Sequence, residues 1–322
     1  MTTTAHIASR RPGAVAVHSI DRFVFTVPQL DVAHRFYSEF GLDVRRQGGR
    51  LDLYTFGHAH CWASIHEAGD GKRLQYVRYG IYSDDVAEFS ARVARLGLSI
   101  GPHALGDAQG IWLRDPDGIA TQLIVAPKVS PSAKSKPVVP MAAAPGQGAA
   151  PSRSKVAPVR PRNLSHILRF SPDVPRMTTF CEQMLGLRLS DRSLDIIAFV
   201  HTPHGSDHHL VAFAKSQAPG LHHSSWDVGS IDDVGAGAEH MREVGWGKGW
   251  GVGRHVLGSN YFNYVQDPWG SFSEYSFGID FVPADLDWPA ADHAPADSLY
   301  VWGPPVPDDF ITNHEQHDGA AA

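Results

Sequence analysis

The sequence predicts an α+β fold assembled from tandem modules of strand, helix and three strands (βαβββ). Three observations carry this expectation. An apolar strand followed by an amphipathic helix recurs at one spacing: Phe36 follows Arg22 by the same interval at which Phe180 follows His166. A later helix closes alike in both halves, the interval from Asp85 to Gly97 being equal to that from Asp233 to Gly245. Each half also ends on the same turn. Asp115-Pro116-Asp117-Gly118 precedes Gln122 by the interval at which Asp267-Pro268-Trp269-Gly270 precedes Glu274. Proline fixes φ and glycine supplies φ > 0, so both are turns. Self-similarity at fixed spacing marks a duplicated architecture.

The elements follow in order. Residues 1 to about 17 are small and polar, a frayed start. Residues 20–27 read as a strand and 30–40 as a helix, with Ala33, Phe36, Tyr37 and Phe40 at helical spacing. Strands are expected at 51–56, 61–66 and 76–82, a helix at 84–96, and strands at 110–113 and 121–125. The first module is therefore 18–126. Residues 127–161 hold eight prolines among Ala, Ser, Lys and Gly, and read as a semi-extended or disordered linker. In the second module, 162–282, strands are expected at 166–170, 196–200, 209–214 and 223–228, and helices at 177–185 and 232–244. Strands 196–200 and 209–214 form a hairpin whose tip spans 202–207. His201, His204 and His208 at that tip read as solvated. Residues 283–322 lack periodicity and read as a tail wrapping the second module.

Composition excludes several classes. A net charge of −6, from 28 basic and 34 acidic residues, is no nucleic-acid footprint. No apolar run approaches the length of a membrane span. Arg10-Arg11 precedes Pro-Gly rather than an apolar region, so no signal peptide is expected. Two cysteines, Cys61 and Cys181, provide neither a disulfide framework nor a Cys-rich zinc site, which fits a reducing cytoplasm. The unusual count is 19 histidines, the commonest metal ligand.

Chemistry concentrates in residues 253–274. Glu274 lies in an apolar strand. It either faces solvent at an edge or is buried with a partner, since an unpaired buried charge is costly. Aligning the two copies sharpens the question. His166 faces Arg22, His223 faces Gln75 or Tyr76, and Glu274 faces Gln122. The second copy thus holds two imidazoles and a carboxylate, the ligand set of the facial triad of non-haem Fe(II) oxygenases. The three lie far apart along the chain and form no local motif.

The duplicated module resembles the vicinal oxygen chelate superfamily, and the second copy resembles the type I extradiol ring-cleavage dioxygenases, catechol 2,3-dioxygenase-like. The resemblance rests on His255, Tyr264, Asp267, Pro268, Gly270 and Glu274 at matching intervals. It also rests on His209-Leu210-Val211-Ala212-Phe213, and is good over 164–282 and weak over 18–126. Asn263 departs from the family's apolar residue. The resemblance implies a metal held by His166, His223 and Glu274, Fe(II) first and Mn(II) second, in the second module alone. His223 is preferred to His222, a neighbour on the opposite strand face. His209 would be the acid/base, and His255 and Tyr264 would bind substrate oxygens. Trp246, Trp250 and Trp269 would line an aromatic pocket or pack the core. The implied reactants are a catecholic diol and O2, in a homo-oligomer with no nucleic-acid or membrane partner. Two rivals share the fold: a metal-dependent isomerase or lyase, and a metal-free binding or resistance protein. The former draws its ligands from both modules.

Overall fold

The computed structural model describes residues 10–138 and 143–315. The first half runs β1 (Ser19–Val27), α1 (Leu30–Glu39), β2 (Asp43–Gln47), β3 (Arg50–Tyr54), β4 (Ala63–Glu67), β5 (Arg73–Ile81), α2 (Val86–Leu96), β6 (Ile111–Arg114) and β7 (Ala120–Val125). Its strands form a sheet of order β2-β3-β4-β1-β5-β7-β6. The second half runs β8 (Asn163–Ser171), α3 (Val174–Phe180), β9 (Arg188–Ser193), β10 (Ile197–His201), β11 (Ser206–Asp207), β12 (Val211–Lys215), β13 (Gly220–Asp227), α4 (Ile231–Glu243), β14 (Gly249–His255), β15 (Tyr261–Gln266) and β16 (Phe272–Phe277). Beyond it lie β17 (Phe281–Val282), β18 (Ala291–Asp292) and β19 (Tyr300–Trp302). The second sheet has the order β18-β9-β10-β12-β8-β13-β16-β15-β14-β19, and β11 pairs with β17.

The helices form where apolar spacing and caps agree. In α1, Leu30, Ala33, Phe36 and Tyr37 are buried. Its first turn is capped at long range: Glu67 accepts a hydrogen bond from the Leu30 N–H at 2.9 Å. An acidic side chain suits the positive end of a helix. Gly41, at φ 100°, ends the helix, and a Cβ there would lie 2.2 Å from the Val159 carbonyl oxygen. Asp173 caps α3 through the Arg176 N–H at 3.0 Å, so this helix starts at Val174, ahead of the expected 177. A π-helical turn, Cys181–Leu185, follows.

Besides the short β11 and β17 to β19, β2 and β9 escaped the sequence reading, and β14 begins at Gly249, ahead of the 253–274 stretch. β2 is an exposed, charged edge without alternation. β9 is polar. β14, Gly-Trp-Gly-Val-Gly-Arg-His, is glycine-rich, a composition depleted in strands. Its glycines permit close approach: a Cβ on Gly249 would sit 1.9 Å from the Tyr264 carbonyl oxygen. The expected hairpin is also interrupted. β10 pairs with β12, but β11 diverts to β17, and His209 precedes β12 rather than lying within a strand. His201, His204 and His208 are buried, not solvated: Trp288 packs on His208, while the Arg11 N–H and the Tyr82 ring meet His204. The segment after β7 is tied down at several points. Ser130 donates to the His18 carbonyl at 2.5 Å, and the Val138 N–H donates to the Gly229 carbonyl at 2.7 Å.

One apolar cluster runs through both halves. Two reciprocal ion pairs cross it. Asp115, in the first half's Asp-Pro-Asp-Gly turn, accepts from Arg169 of β8 at 2.7 Å. Asp267, in the second half's Asp-Pro-Trp-Gly turn, accepts from Lys72, just before β5, at 2.5 Å. All four side chains are buried. Each aspartate spends its other oxygen on its own turn, accepting from Asp117 and Ile119 or from Trp269. Burial pushes the Lys72 ammonium down, but Asp267 and Tyr37 outweigh it and hold it above its ordinary value. Removing one partner of a buried pair leaves a lone buried charge, at a cost of about 3–5 kcal/mol. Lys72→Met and Arg169→Met are each expected to lower stability by that amount in denaturant unfolding. A loss below about 1 kcal/mol would mean the pairs do not hold the halves together.

Candidate metal centre

β8, β13 and β16 are neighbours in the second sheet, and each turns one candidate ligand to the same face. Glu274 is fully buried, which settles its orientation. Its Oε2 lies 3.5 Å from His166 Nε2 and 3.6 Å from His223 Nε2. The two imidazole nitrogens are 3.3 Å apart. Among the described residues, this is the group of His, Cys, Asp or Glu whose ligand atoms all lie within 4.8 Å of one another. Glu274 Oε2 has no hydrogen-bond partner, while Oε1 accepts from Asn260 Nδ2 at 3.0 Å. A buried carboxylate oxygen facing two imidazole nitrogens, without a donor of its own, fits a divalent cation.

Strand register explains why these residues converge. In β13 the pairing with β8 slips at His222, a β-bulge. Simple alternation would put His222 on the opposite face. The bulge re-aims it, as bulges near sites do, so His222 Nδ1 lies 2.7 Å from His223 Nδ1. His222 Nε2 lies 2.7 Å from the Phe310 carbonyl oxygen. The carbonyl only accepts, so His222 carries its proton on Nε2 and accepts from His223 at Nδ1. That leaves His223 Nε2 as a lone pair facing Glu274. His166 Nδ1 lies 3.2 Å from Ser165 Oγ, which donates to Asp207 at 2.6 Å. His166 Nε2 is likewise left as the lone pair, the form a metal ligand needs.

Electrostatics agree with this arrangement. Burial, then neighbouring histidines, hold His223 and His209 well below the ordinary imidazole value. Burial pushes Glu274 up, but the neighbouring imidazoles of His166 and His255 outweigh it and hold it below the usual carboxylate range. Burial and then Glu274 push Tyr264 well above its usual value, so its hydroxyl stays protonated. Tyr264 Oη is 2.9 Å from His255 Nε2, whose Nδ1 lies 2.8 Å from the Leu299 carbonyl.

His209, His255, Tyr264 and the three candidate ligands line one cavity. Leu168, Phe199, Leu257 and Phe310 give it an apolar wall. The tryptophans sit elsewhere: Trp250 stacks behind Tyr264 at 5.8 Å, and Trp246 packs edge-on to Phe36 at 5.5 Å. Sequence reasoning missed Asn260, for which no pattern exists. It also missed the partners His208 and His222, although the doublets His208-His209 and His222-His223 were a visible signal.

The first half repeats the register without the ligands. Its bulge falls at Gln75, so Tyr76, not Gln75, corresponds to His223. Arg22 pairs opposite Arg78 as His166 does opposite Ser225, and Arg78 opposite Gln122 as Ser225 does opposite Glu274. There the Arg78 guanidinium donates to Gln122 at 2.7 Å and to Asp107 at 2.6 Å.

Residues 163–275 match the Glyoxalase/Bleomycin resistance protein/Dioxygenase superfamily. The chain is 50% identical over 301 residues to metapyrocatechase 2 of Cupriavidus necator, covering 93% of each. In fold it is similar to a Mn(II)-bound glyoxalase from Novosphingobium aromaticivorans (TM-score 0.71, 23% identity, 92% of this chain and 94% of that one). It is similar also to an extradiol ring-cleaving dioxygenase from B. fuscum (TM-score 0.72, 19% identity, 95% and 83%). Duplicated βαβββ modules around a two-histidine, one-carboxylate cup define a member of that superfamily. Within it, the chain belongs to the extradiol, meta-cleaving dioxygenases. No helix among the described residues is long and apolar enough to cross a membrane.

Asn260 also donates to Ser276 at 2.9 Å. Asn260→Ala strips a buried carboxylate oxygen of its donor, and the metal-free protein is expected to lose about 1–3 kcal/mol in urea unfolding. An unchanged midpoint would mean that the carboxylate does not depend on that amide.

Proposed function

We propose that this dioxygenase opens a catechol-type aromatic diol beside its two hydroxyls, with Fe(II) held by His166, His223 and Glu274. The observation that carries the reading is the unpartnered, buried Glu274 Oε2 between two imidazole nitrogens. Two histidines and one carboxylate with open positions suit non-haem Fe(II). When bound, the metal would supply Lewis-acid polarisation of the diol oxygens and redox capacity toward O2. The residues do the rest. The apolar wall receives the ring and excludes water. Tyr264, kept protonated, donates its hydroxyl to the lone pair of His255 Nε2, so His255 orients it and its oxygen is left to accept from a diol hydroxyl. His209, kept neutral, takes a diol proton and returns it as the ring opens, a role worth roughly 10²–10⁴-fold in rate. Both atoms of O2 end in the product. The candidate ligands and the acid/base lie within residues 162–282, with 283–315 closing over them.

With Fe(II), catechol and labelled O2, both labels are expected in a yellow ring-opened product. Cleavage between the hydroxyls would overturn the reading. Metal analysis should find one iron per chain in the native protein and none in Glu274→Ala, and full occupancy in that variant would displace the ligand assignment. His209→Asn should keep its iron and bind catechol anaerobically, with turnover lower by roughly 10²–10⁴-fold.

A further inference from the structure

Behind His209 runs a line of side chains that the reaction above leaves unused. His209 Nδ1 lies 3.0 Å from His208 Nδ1, with the two rings perpendicular. His208 Nε2 lies 2.8 Å from Asp191 Oδ2, which also accepts from Trp288 Nε1 at 3.2 Å. Asp191 Oδ1 accepts from the Ala291 N–H at 3.1 Å and faces His293 Nε2 at 2.7 Å. Four donors therefore surround one buried carboxylate. Burial pushes Asp191 up, but hydrogen bonds from His208 and His293 outweigh it and hold it below the usual carboxylate range.

An ionised carboxylate only accepts, and this sets the direction of the whole line. His208 must carry its proton on Nε2. Its Nδ1 is then a lone pair, and the hydrogen bond to His209 requires the proton on His209 Nδ1. His209 Nε2 remains as the one ring nitrogen able to receive a proton. The His222–His223 doublet has the same Nδ1-to-Nδ1 arrangement but ends on a backbone carbonyl. Hydrogen bonds to an ionised acceptor are roughly twice as strong as neutral ones. The carboxylate thus stands behind the histidine read as the acid/base, and the neutral acceptor stands behind a candidate ligand.

We propose that Asp191 and His208 are positioning residues for His209, fixing its tautomer and ring orientation, and that Trp288 and His293 lock Asp191 in place. The inference rests on His209 being the acid/base of this site. It gives residues 288–293 a part in catalysis although they do not line the cavity.

The test uses the full-length, Fe(II)-loaded protein with catechol as probe. Asp191→Asn can present N–H to His208 and reverse the line, while His208→Phe cuts it. Both are expected to keep one iron per chain, native anaerobic catechol binding and an unchanged KM. In both, kcat should fall between about 10- and 1,000-fold, no further than in His209→Asn. The double variant His208→Phe/His209→Asn should be no slower than His209→Asn alone, because residues acting through one group are not additive. Should His208→Phe fail to fold, Asp191→Asn/His209→Asn supplies the same cycle. Native kcat in either single variant, or additive losses in the cycle, overturns the positioning role while the His209 reading stands. Native turnover of His209→Asn overturns that reading and the inference with it.

Discussion

The structure depends on a reciprocal constraint: each half's closing turn is held by a buried cation from the other half. Asp115 takes Arg169, and Asp267 takes Lys72. These contacts use the backs of the strands that carry the site. In β8, His166 faces the cavity, and Arg169, further along the same strand, faces the first half. In β16, Glu274 faces the cavity and Tyr275 the other way. Tyr275 stacks on Phe40 at 4.0 Å and donates to its carbonyl at 2.9 Å. Side chains alternate across a strand, so one register both docks the halves and aims the ligands. A slip of one residue would bury the clamp residues in the cavity and turn the ligands to the core.

Around the cavity the same logic works at the scale of single atoms. Nδ1 of His166, His209, His223 and His255 is committed to a neighbour: Ser165, His208, His222 and the Leu299 carbonyl. What faces inward is therefore chosen by what lies behind. A replacement in that outer layer acts on the site without touching it, because it changes which nitrogen carries a proton.

Much of this was legible in the sequence, and the remainder has physical reasons. The repeat was visible because turns and helix ends need particular residues at fixed intervals. Comparing copies then isolated His166, His223 and Glu274 although no local motif joins them. Polar β9 and the start of glycine-rich β14 were illegible because tertiary contacts form them: β14 needs close approach to β15, and β9 is polar because Asp191 serves the interior. The bulge at His222 is a register event with no composition of its own. His201, His204 and His208 looked solvated because cover arrives from distant parts of the chain, Trp288 over His208 and Arg11 with Tyr82 over His204.

The first half's Arg78–Gln122–Asp107 network casts the second half in a different light. Both cups are built on one register and both gather polar groups beneath a sheet. One is neutralised by a guanidinium attached to the chain, so it is complete as soon as it folds. The other contains a carboxylate oxygen with no donor, and only a guest cation completes it. The two halves therefore mature differently. A ligand that binds only the folded state stabilises it by an amount that grows with its concentration. Resistance to heat and proteolysis should therefore track the supply of metal, and because the halves share one core the gain reaches both.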